Sequence, residues 1–81
     1  MRKIDEKRLI KFGYHLRKIR EAKGLSLRQL AQACDVDFSK IGKLENNNTN
    51  DPKVNVTLTT LIEIAAGLEV ELTELLDFDF E

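Results

Sequence analysis

Two helix start signals lie close together in the middle of the chain, and they constrain the fold more than any other feature. Ser26 is followed three residues later by Gln29, which is the spacing of a capping box, and Asp37 is an N-cap for a second helix. The first of these helices can extend only to about Cys34, because residues 34–36 must make the connection. A connection of about three residues holds two short helices at a sharp, fixed angle.

A longer helix is predicted before this pair, over about residues 5–23. Asp5 is expected to cap its start, and Gly24 supplies a left-handed exit at its end. Its apolar residues recur at spacings of three and four and therefore share one stripe: Leu9, Phe12, Leu16 and Ile19.

Two further helices are predicted after the pair. Residues 46–56 begin with an Asn-rich run and have loop chemistry. Thr57 then caps a fourth helix, whose apolar residues repeat with helical period: Leu58, Leu61, Ile62, Ala65 and Leu68. A short fifth helix is predicted over 72–76. The expected fold is therefore all-α, with five helices and a helix-turn-helix at helices 2 and 3.

The composition argues against several classes of protein. The 81 residues allow one domain and leave no room for a dinucleotide-binding fold or a barrel. A single cysteine, Cys34, excludes an internal disulfide, and a single histidine, His15, leaves a metal ion short of ligands. No apolar run is long enough for a membrane span, and no signal peptide is recognised. We expect a cytoplasmic protein without cofactor or metal, and no enzyme, since no catalytic constellation is present.

The net charge of −1 conceals an uneven distribution along the chain. Residues 1–45 hold 12 Lys or Arg against 6 acids, a net of +6, whereas residues 46–81 hold only Lys53 against 8 acids, a net of −7. This asymmetry is typical of a basic face for a polyanion and an acidic remainder. Charges that simply cover solvated helix faces are the alternative interpretation.

A tight helix-turn-helix over 26–45, braced by helices on both sides, has the geometry of a DNA-reading unit. The second helix of such a pair can lie in the major groove while the first crosses the phosphate backbone. The major groove admits one helix and presents a different donor and acceptor pattern for each base pair. The sequence therefore favours double-stranded DNA as the partner.

Residues spread over about 12–76 also follow a recognisable order: Leu16-Arg17-Lys18-Ile19-Arg20, Gly24-Leu25-Ser26, Leu30-Ala31, Ile41, Leu44-Glu45-Asn46, Ile64-Ala65, Leu68 and Leu72-Thr73-Glu74-Leu75-Leu76. This pattern resembles the phage repressor/Cro-type (XRE-like) helix-turn-helix family. The resemblance implies a lambda-repressor-like domain over residues 1–76 that binds operator DNA as a homodimer. A short acidic and aromatic tail, 77–81, follows it.

By that resemblance, the recognition helix begins at about Phe38, and its groove-facing set is Phe38, Ser39, Lys40 and Lys43. Ser39 can bond a base or a phosphate, and the two lysines can reach guanine acceptors or phosphates. Phe38 either touches a thymine methyl group or packs against a neighbouring helix. Gly42 on the same helix indicates either close approach to a backbone or no constraint at all.

The family often has Gln at the first position of helix 2, where it contacts the operator backbone, but this chain has Leu27 there. Arg28 is the proposed substitute, and Asn46, Asn47 and Lys53 are expected to extend the phosphate contacts. The alternative for the Asn run is a helix C-cap and turn.

Other polar residues are expected to be structural. The resemblance suggests that Arg20 and Glu45 pair between helix 1 and the end of helix 3, which fixes helix orientation more than it adds stability. Cys34 is expected to fill the core, and His15 to be an exposed helix residue.

A homodimer is expected because one module contacts only about half of an operator. The predicted dimer surface is helix 5 with the tail, which carry Leu72, Leu75, Leu76, Phe78 and Phe80. Alternatively, the three leucines complete the core. The leading interpretation is a sequence-specific transcriptional regulator, and the alternative is an antitoxin or protein-interaction module that retains the fold.

Overall fold

A computed structural model of the chain describes residues 3–46 and 57–78, with side chains from Lys7 onward. It contains five α-helices in the described residues and no strand: α1 (Lys3–Ala22), α2 (Leu27–Cys34), α3 (Phe38–Glu45), α4 (Leu58–Leu68) and α5 (Leu72–Leu75). The predicted all-α, five-helix fold is confirmed.

The helix starts lie where the capping residues predicted them. Ser26 Oγ accepts from the backbone N–H of Gln29 at 3.1 Å, and Gln29 Oε1 accepts from the N–H of Ser26 at 2.7 Å, so the capping box is complete. Asp37 accepts from the N–H of Ser39, and Thr57 from that of Thr60. These local bonds satisfy N–H groups that the first turn of a helix leaves without partners.

The turn between α2 and α3 is built by backbone geometry. Asp35 adopts the left-handed conformation, with φ of 54°, which Asp tolerates better than most residues. The N–H of Val36 donates to the carbonyl of Ala31, and the Val36 side chain packs against the core. The chain then re-enters a helix at once, so the angle between α2 and α3 is fixed.

Two predicted helix ends differ from the structure. α1 begins at Lys3, so Asp5 lies inside its first turn and the prediction of an Asp5 N-cap is wrong. α5 ends one residue earlier than expected, at Leu75. The left-handed exit at Gly24 is confirmed, with φ of +73°.

Apolar side chains from every helix meet in one core. α2 lies between α3 and α4, while α1 packs across α3 and α5. The side chains that are almost completely buried are Leu16, Leu30, Ile41, Leu44, Ile64, Leu68 and Leu75. This packing sets the positions of α2 and α3, whose outer surfaces remain available.

Cys34 is part of the core, as predicted. Its thiol donates to the carbonyl of Leu30 at 3.0 Å, and burial raises its pKa above the ordinary value. Gly67 of α4 lies directly against it: a Cβ placed on Gly67 would sit 2.6 Å from the Cys34 Cβ and 2.8 Å from its backbone N. The absence of a side chain at Gly67 therefore allows α4 to approach the backbone of α2.

Arg20 and Glu45 join α1 to the end of α3, as predicted. Arg20 Nε and Nη2 donate to the two oxygens of Glu45 at 2.7 and 2.9 Å, and Nη1 donates to the Leu25 carbonyl at 2.7 Å. Glu45 is only 4% exposed, and the hydrogen bonds to its carboxylate raise the pKa of Arg20. This fork geometry holds the C-terminal end of α3 in place.

Among the described residues, no helix is both long and apolar enough to cross a membrane.

Candidate nucleic-acid interface

α3 has a buried side and an exposed side. Ile41 and Leu44 are buried in the core, whereas Phe38, Ser39 and Lys40 in the first turn are exposed. The buried side anchors the helix, so its N-terminal half presents polar and aromatic groups outward. This is the arrangement that a helix needs to enter a groove of DNA.

Phe38 is 40% exposed, and the guanidinium of Arg28 lies over its ring, 5.0 Å from the ring centroid. This distance is within the range of a cation–π interaction. The ring of Phe38 therefore contacts the neighbouring helix through Arg28 and still presents surface to solvent, so its contact with a thymine methyl group stays a prediction. Arg28 and Phe38 form one unit across α2 and α3.

The remaining predicted contacts are only partly placed. Lys43 is half-buried, one turn along α3 from Lys40. Asn46 is exposed and is also the C-cap of α3, where its N–H donates to the Gly42 carbonyl at 2.9 Å. Asn46 therefore fits both interpretations of the Asn run. Asn47 and Lys53 lie outside the described residues.

Leu27 and Gly42 face each other between α2 and α3. Leu27 is half-buried against the core, and a Cβ built on Gly42 would lie 3.6 Å from Leu27 Cδ2, an ordinary contact distance. Gly42 is itself buried, so it does not lie on the groove-facing surface. The interpretation of Gly42 as a site of close approach to DNA is wrong; its Cα faces the side chain of Leu27.

The charge on this surface is mainly positive. Arg28, Lys40 and Lys43 contribute cations, while Glu45, the acid within α3, is turned inward to Arg20. Asp37 caps α3 and keeps its charge, and Asp35 in the turn is exposed as well. The three cations outnumber these two acids, so the surface of α2 and α3 carries a small net positive charge toward phosphates.

The prediction that His15 is an exposed helix residue is wrong. Its side chain is half-buried, its Nε2 lies 3.1 Å from the carbonyl oxygen of Glu74, and its ring centroid lies 5.3 Å from that of Phe78. His15 therefore joins α1 to α5 and the residues just after it. The spacing along the chain gives no signal for a contact between residues so far apart.

The predicted dimer surface on helix 5 is only partly buried by this chain's own core. Leu75 is completely buried, whereas Leu72, Leu76 and Phe78 pack against the core and remain partly exposed. Phe80 lies outside the described residues. Leu75 therefore completes the core, and the role of helix 5 in a dimer stays a prediction.

Two of the large exposed apolar residues lie on α4, where Leu58 is 63% and Ile62 is 51% exposed. They are one turn apart and share a face of the helix. The sequence carried a signal for this face, because α4 has more apolar positions than one inward stripe can hold. We call Leu58 and Ile62 the α4 patch.

No group of three or more His, Cys, Asp or Glu side chains within the described ranges is arranged to hold a metal ion.

Comparison with known proteins identifies the architecture. A family model described as helix-turn-helix matches residues 16–75, which include α2, α3 and α4. The chain belongs to the XRE-like helix-turn-helix family. The family predicted from the sequence is confirmed, and its fold is that of DNA-binding transcriptional regulators.

Individual relatives agree with this family. The chain is 40% identical over 65 residues to the HTH-type transcriptional regulator SlrR of Bacillus subtilis, covering 80% of this chain but only 40% of that regulator. It is 39% identical over 67 residues to the control protein C.MunI of a Mycoplasma species, covering 82% of this chain and 84% of that protein.

The restriction-modification controller protein C.AhdI of Aeromonas hydrophila has a similar crystal structure. The TM-score is 0.73 at 39% sequence identity, over 83% of this chain and 94% of C.AhdI. The five-helix arrangement is therefore shared with a controller protein along nearly its whole length.

Proposed function

We propose that this chain is a sequence-specific transcriptional regulator that occupies operator DNA as a homodimer, with α3 in the major groove. The observation that carries the proposal is the first turn of α3, which exposes Phe38, Ser39 and Lys40 while the other end is fastened by Arg20 and Glu45. A rigid helix with an exposed polar end can place side chains against base edges reproducibly. Its place of action would be the cytoplasm, where such regulators meet DNA.

Two copies fit the geometry of an operator. Recognition helices of a symmetric dimer lie about 34 Å apart, one turn of DNA, so each copy would read one half-site. Helix 5 with the residues after it remains one candidate dimer surface, since Leu72 and Leu76 are partly exposed. The α4 patch is a second candidate, because Leu58 and Ile62 are more exposed.

Selection of bound duplexes from a random pool, followed by a salt titration, tests this function. We expect an enriched site with two related halves and an affinity that falls steeply as salt rises, because Lys and Arg release counterions from phosphates. Lys40→Ala should weaken binding to the enriched site. Lys18→Ala, an exposed lysine on α1, is the matched control and should bind nearly as the parent does.

Sedimentation analysis of Ile62→Lys tests the dimer. A charge placed on the α4 patch should give a monomer that keeps its helical content and binds a half-site weakly. An unchanged dimer would reject the α4 patch and leave the question of DNA binding to the selection experiment.

A protein-interaction module, such as an antitoxin, is the second candidate. The net charge of −1 and the Leu27 in place of a backbone-contacting polar residue favour it. Absence of binding to any duplex at low salt would support this candidate and contradict the operator-binding proposal.

A further inference from the structure

The contact between Arg28 and Phe38 joins the two helices of the helix-turn-helix on their outer surface. Arg28 lies in the first turn of α2, and Phe38 is the first residue of α3. Both are exposed, and the guanidinium carbon lies 5.0 Å from the centroid of the ring. The side chain of Arg28 is thus directed toward the N-terminal end of α3, where the proposed function places the bases.

The cation–π contact leaves part of each group available. The guanidinium carries five N–H donors in a planar fork, and attraction to the ring face does not use them up as hydrogen-bond donors. Phe38 as a residue is 40% exposed, so part of its side chain remains available for contact. Together the two side chains present an apolar surface next to a planar fork of hydrogen-bond donors.

This pairing of an apolar surface with a donor fork matches one kind of base step. In the major groove, thymine presents its C5-methyl group, and guanine presents the O6 and N7 acceptors that suit a bidentate arginine. In a thymine–guanine step these two features are neighbours. A step without the methyl group, or without the guanine acceptors, satisfies only half of the pair.

We propose that Arg28 and Phe38 act as one reading unit for a thymine followed by guanine in each half-site. Phe38 contacts the C5-methyl group, and Arg28 donates to O6 and N7 of the guanine. This inference rests on the proposed function and makes it more specific. It also assigns Arg28 a contact with a base, whereas the sequence analysis predicted a contact with the DNA phosphate backbone.

Base analogues in the enriched duplex test the contacts separately. Replacing thymine by deoxyuridine removes only the methyl group, and replacing guanine by 7-deazaguanine removes the N7 acceptor. We expect one thymine in each half-site whose replacement weakens binding about fourfold, the effect of losing one buried methyl group. The guanine that follows it should show a loss of about fivefold, the lower limit for a bidentate contact.

Two variants link these losses to the side chains. In Phe38→Ala the deoxyuridine duplex should bind no worse than the thymine duplex, and in Arg28→Ala the 7-deazaguanine duplex should bind no worse than the guanine duplex. Both residues are exposed, so we expect the variants to fold, which circular dichroism verifies. Tyr14→Ala removes an exposed aromatic residue from α1 and is the matched control, in which both analogue effects should persist.

Several results would overturn the reading unit alone. They are an enriched site without a thymine–guanine step, insensitivity of the parent protein to deoxyuridine at every thymine, and a full 7-deazaguanine effect in Arg28→Ala. Equal weakening of all duplexes by Arg28→Ala would assign Arg28 to a phosphate. If the selection enriches no site and binding shows no salt dependence, the proposed function fails as well, which is a distinguishable outcome.

Discussion

The contacts that join the helix-turn-helix to α4 and α1 are closer than the contact between its own two helices, α2 and α3. α2 meets α4 at Gly67, where a Cβ would come within 3 Å of three atoms of Cys34, and α3 is fastened to α1 by the ion pair of Arg20 with Glu45. Between α2 and α3, by contrast, a Cβ on Gly42 would meet Leu27 only at 3.6 Å. The comparison indicates that α4 and α1 hold the pair through close contacts, while the space between α2 and α3 has room for one more methyl group.

Glu45→Ala should have the largest effect on stability. It removes both carboxylate oxygens that accept from Arg20, whose side chain is only 12% exposed. The charged guanidinium would keep only the Leu25 carbonyl as a partner and lose its counter-charge in a largely buried position. Breaking such a pair costs roughly 3 kcal/mol of the free energy of unfolding. Urea denaturation at fixed protein concentration measures the loss, and Arg17→Ala is the control, because its pair with Glu21 is exposed and should matter by less than about 1 kcal/mol.

Gly67→Ala should have the next largest effect. Its new methyl group would collide with backbone as well as side-chain atoms of Cys34, so α4 must shift away from α2. Overpacking of this kind costs about 1–3 kcal/mol, and it exceeds the gain of up to ~1 kcal/mol that Ala gives in a helix. We expect a net loss of about 1–2 kcal/mol, seen as a melting temperature lower by roughly 5–10 °C. A variant as stable as the parent would show that the support is looser than the distances indicate.

Local signals predicted most of the fold because they are complete within a few residues. The capping box of Ser26 and Gln29 contains both partners of its hydrogen bonds, and Asp37 and Thr57 cap their own helices in the same way. Apolar periodicity then predicted which sides of the helices are buried. These features do not depend on how the helices are arranged in space.

Such local signals could not predict contacts between residues that are far apart in the sequence. The bond of His15 to the Glu74 carbonyl and the cation–π contact of Arg28 with Phe38 depend on the angles at which helices cross. The same is true of Gly67, whose lack of a side chain has meaning only because Cys34 lies opposite. The resemblance to a family did predict the ion pair of Arg20 with Glu45. It also predicted which residues of the recognition helix face the groove, and their contacts with bases remain a prediction.

Leu58 of α4 shows that apolar periodicity alone does not tell which apolar residues of a helix are buried. Periodicity predicts that Leu58 and Leu61 belong to one apolar pattern, yet Leu58 is 63% exposed while Leu61 packs partly against the core. A helix with apolar residues on more than one side cannot reveal which side faces a neighbour. The three-dimensional arrangement was needed to separate the core side from the α4 patch.

Gly42→Ala should have the smallest effect, and it is the sharpest test of the comparison because it makes the same chemical change as Gly67→Ala. The new methyl group would make an ordinary contact with Leu27, so no helix has to move. The variant should gain up to ~1 kcal/mol, because Ala is preferred over Gly inside a helix. Parallel urea denaturation of the two glycine variants measures the difference. If Gly42→Ala loses as much stability as Gly67→Ala, then α2 and α3 are packed as tightly as their supports. In that case the exposed first turn of α3 is held rigid from within the pair as well as from outside it.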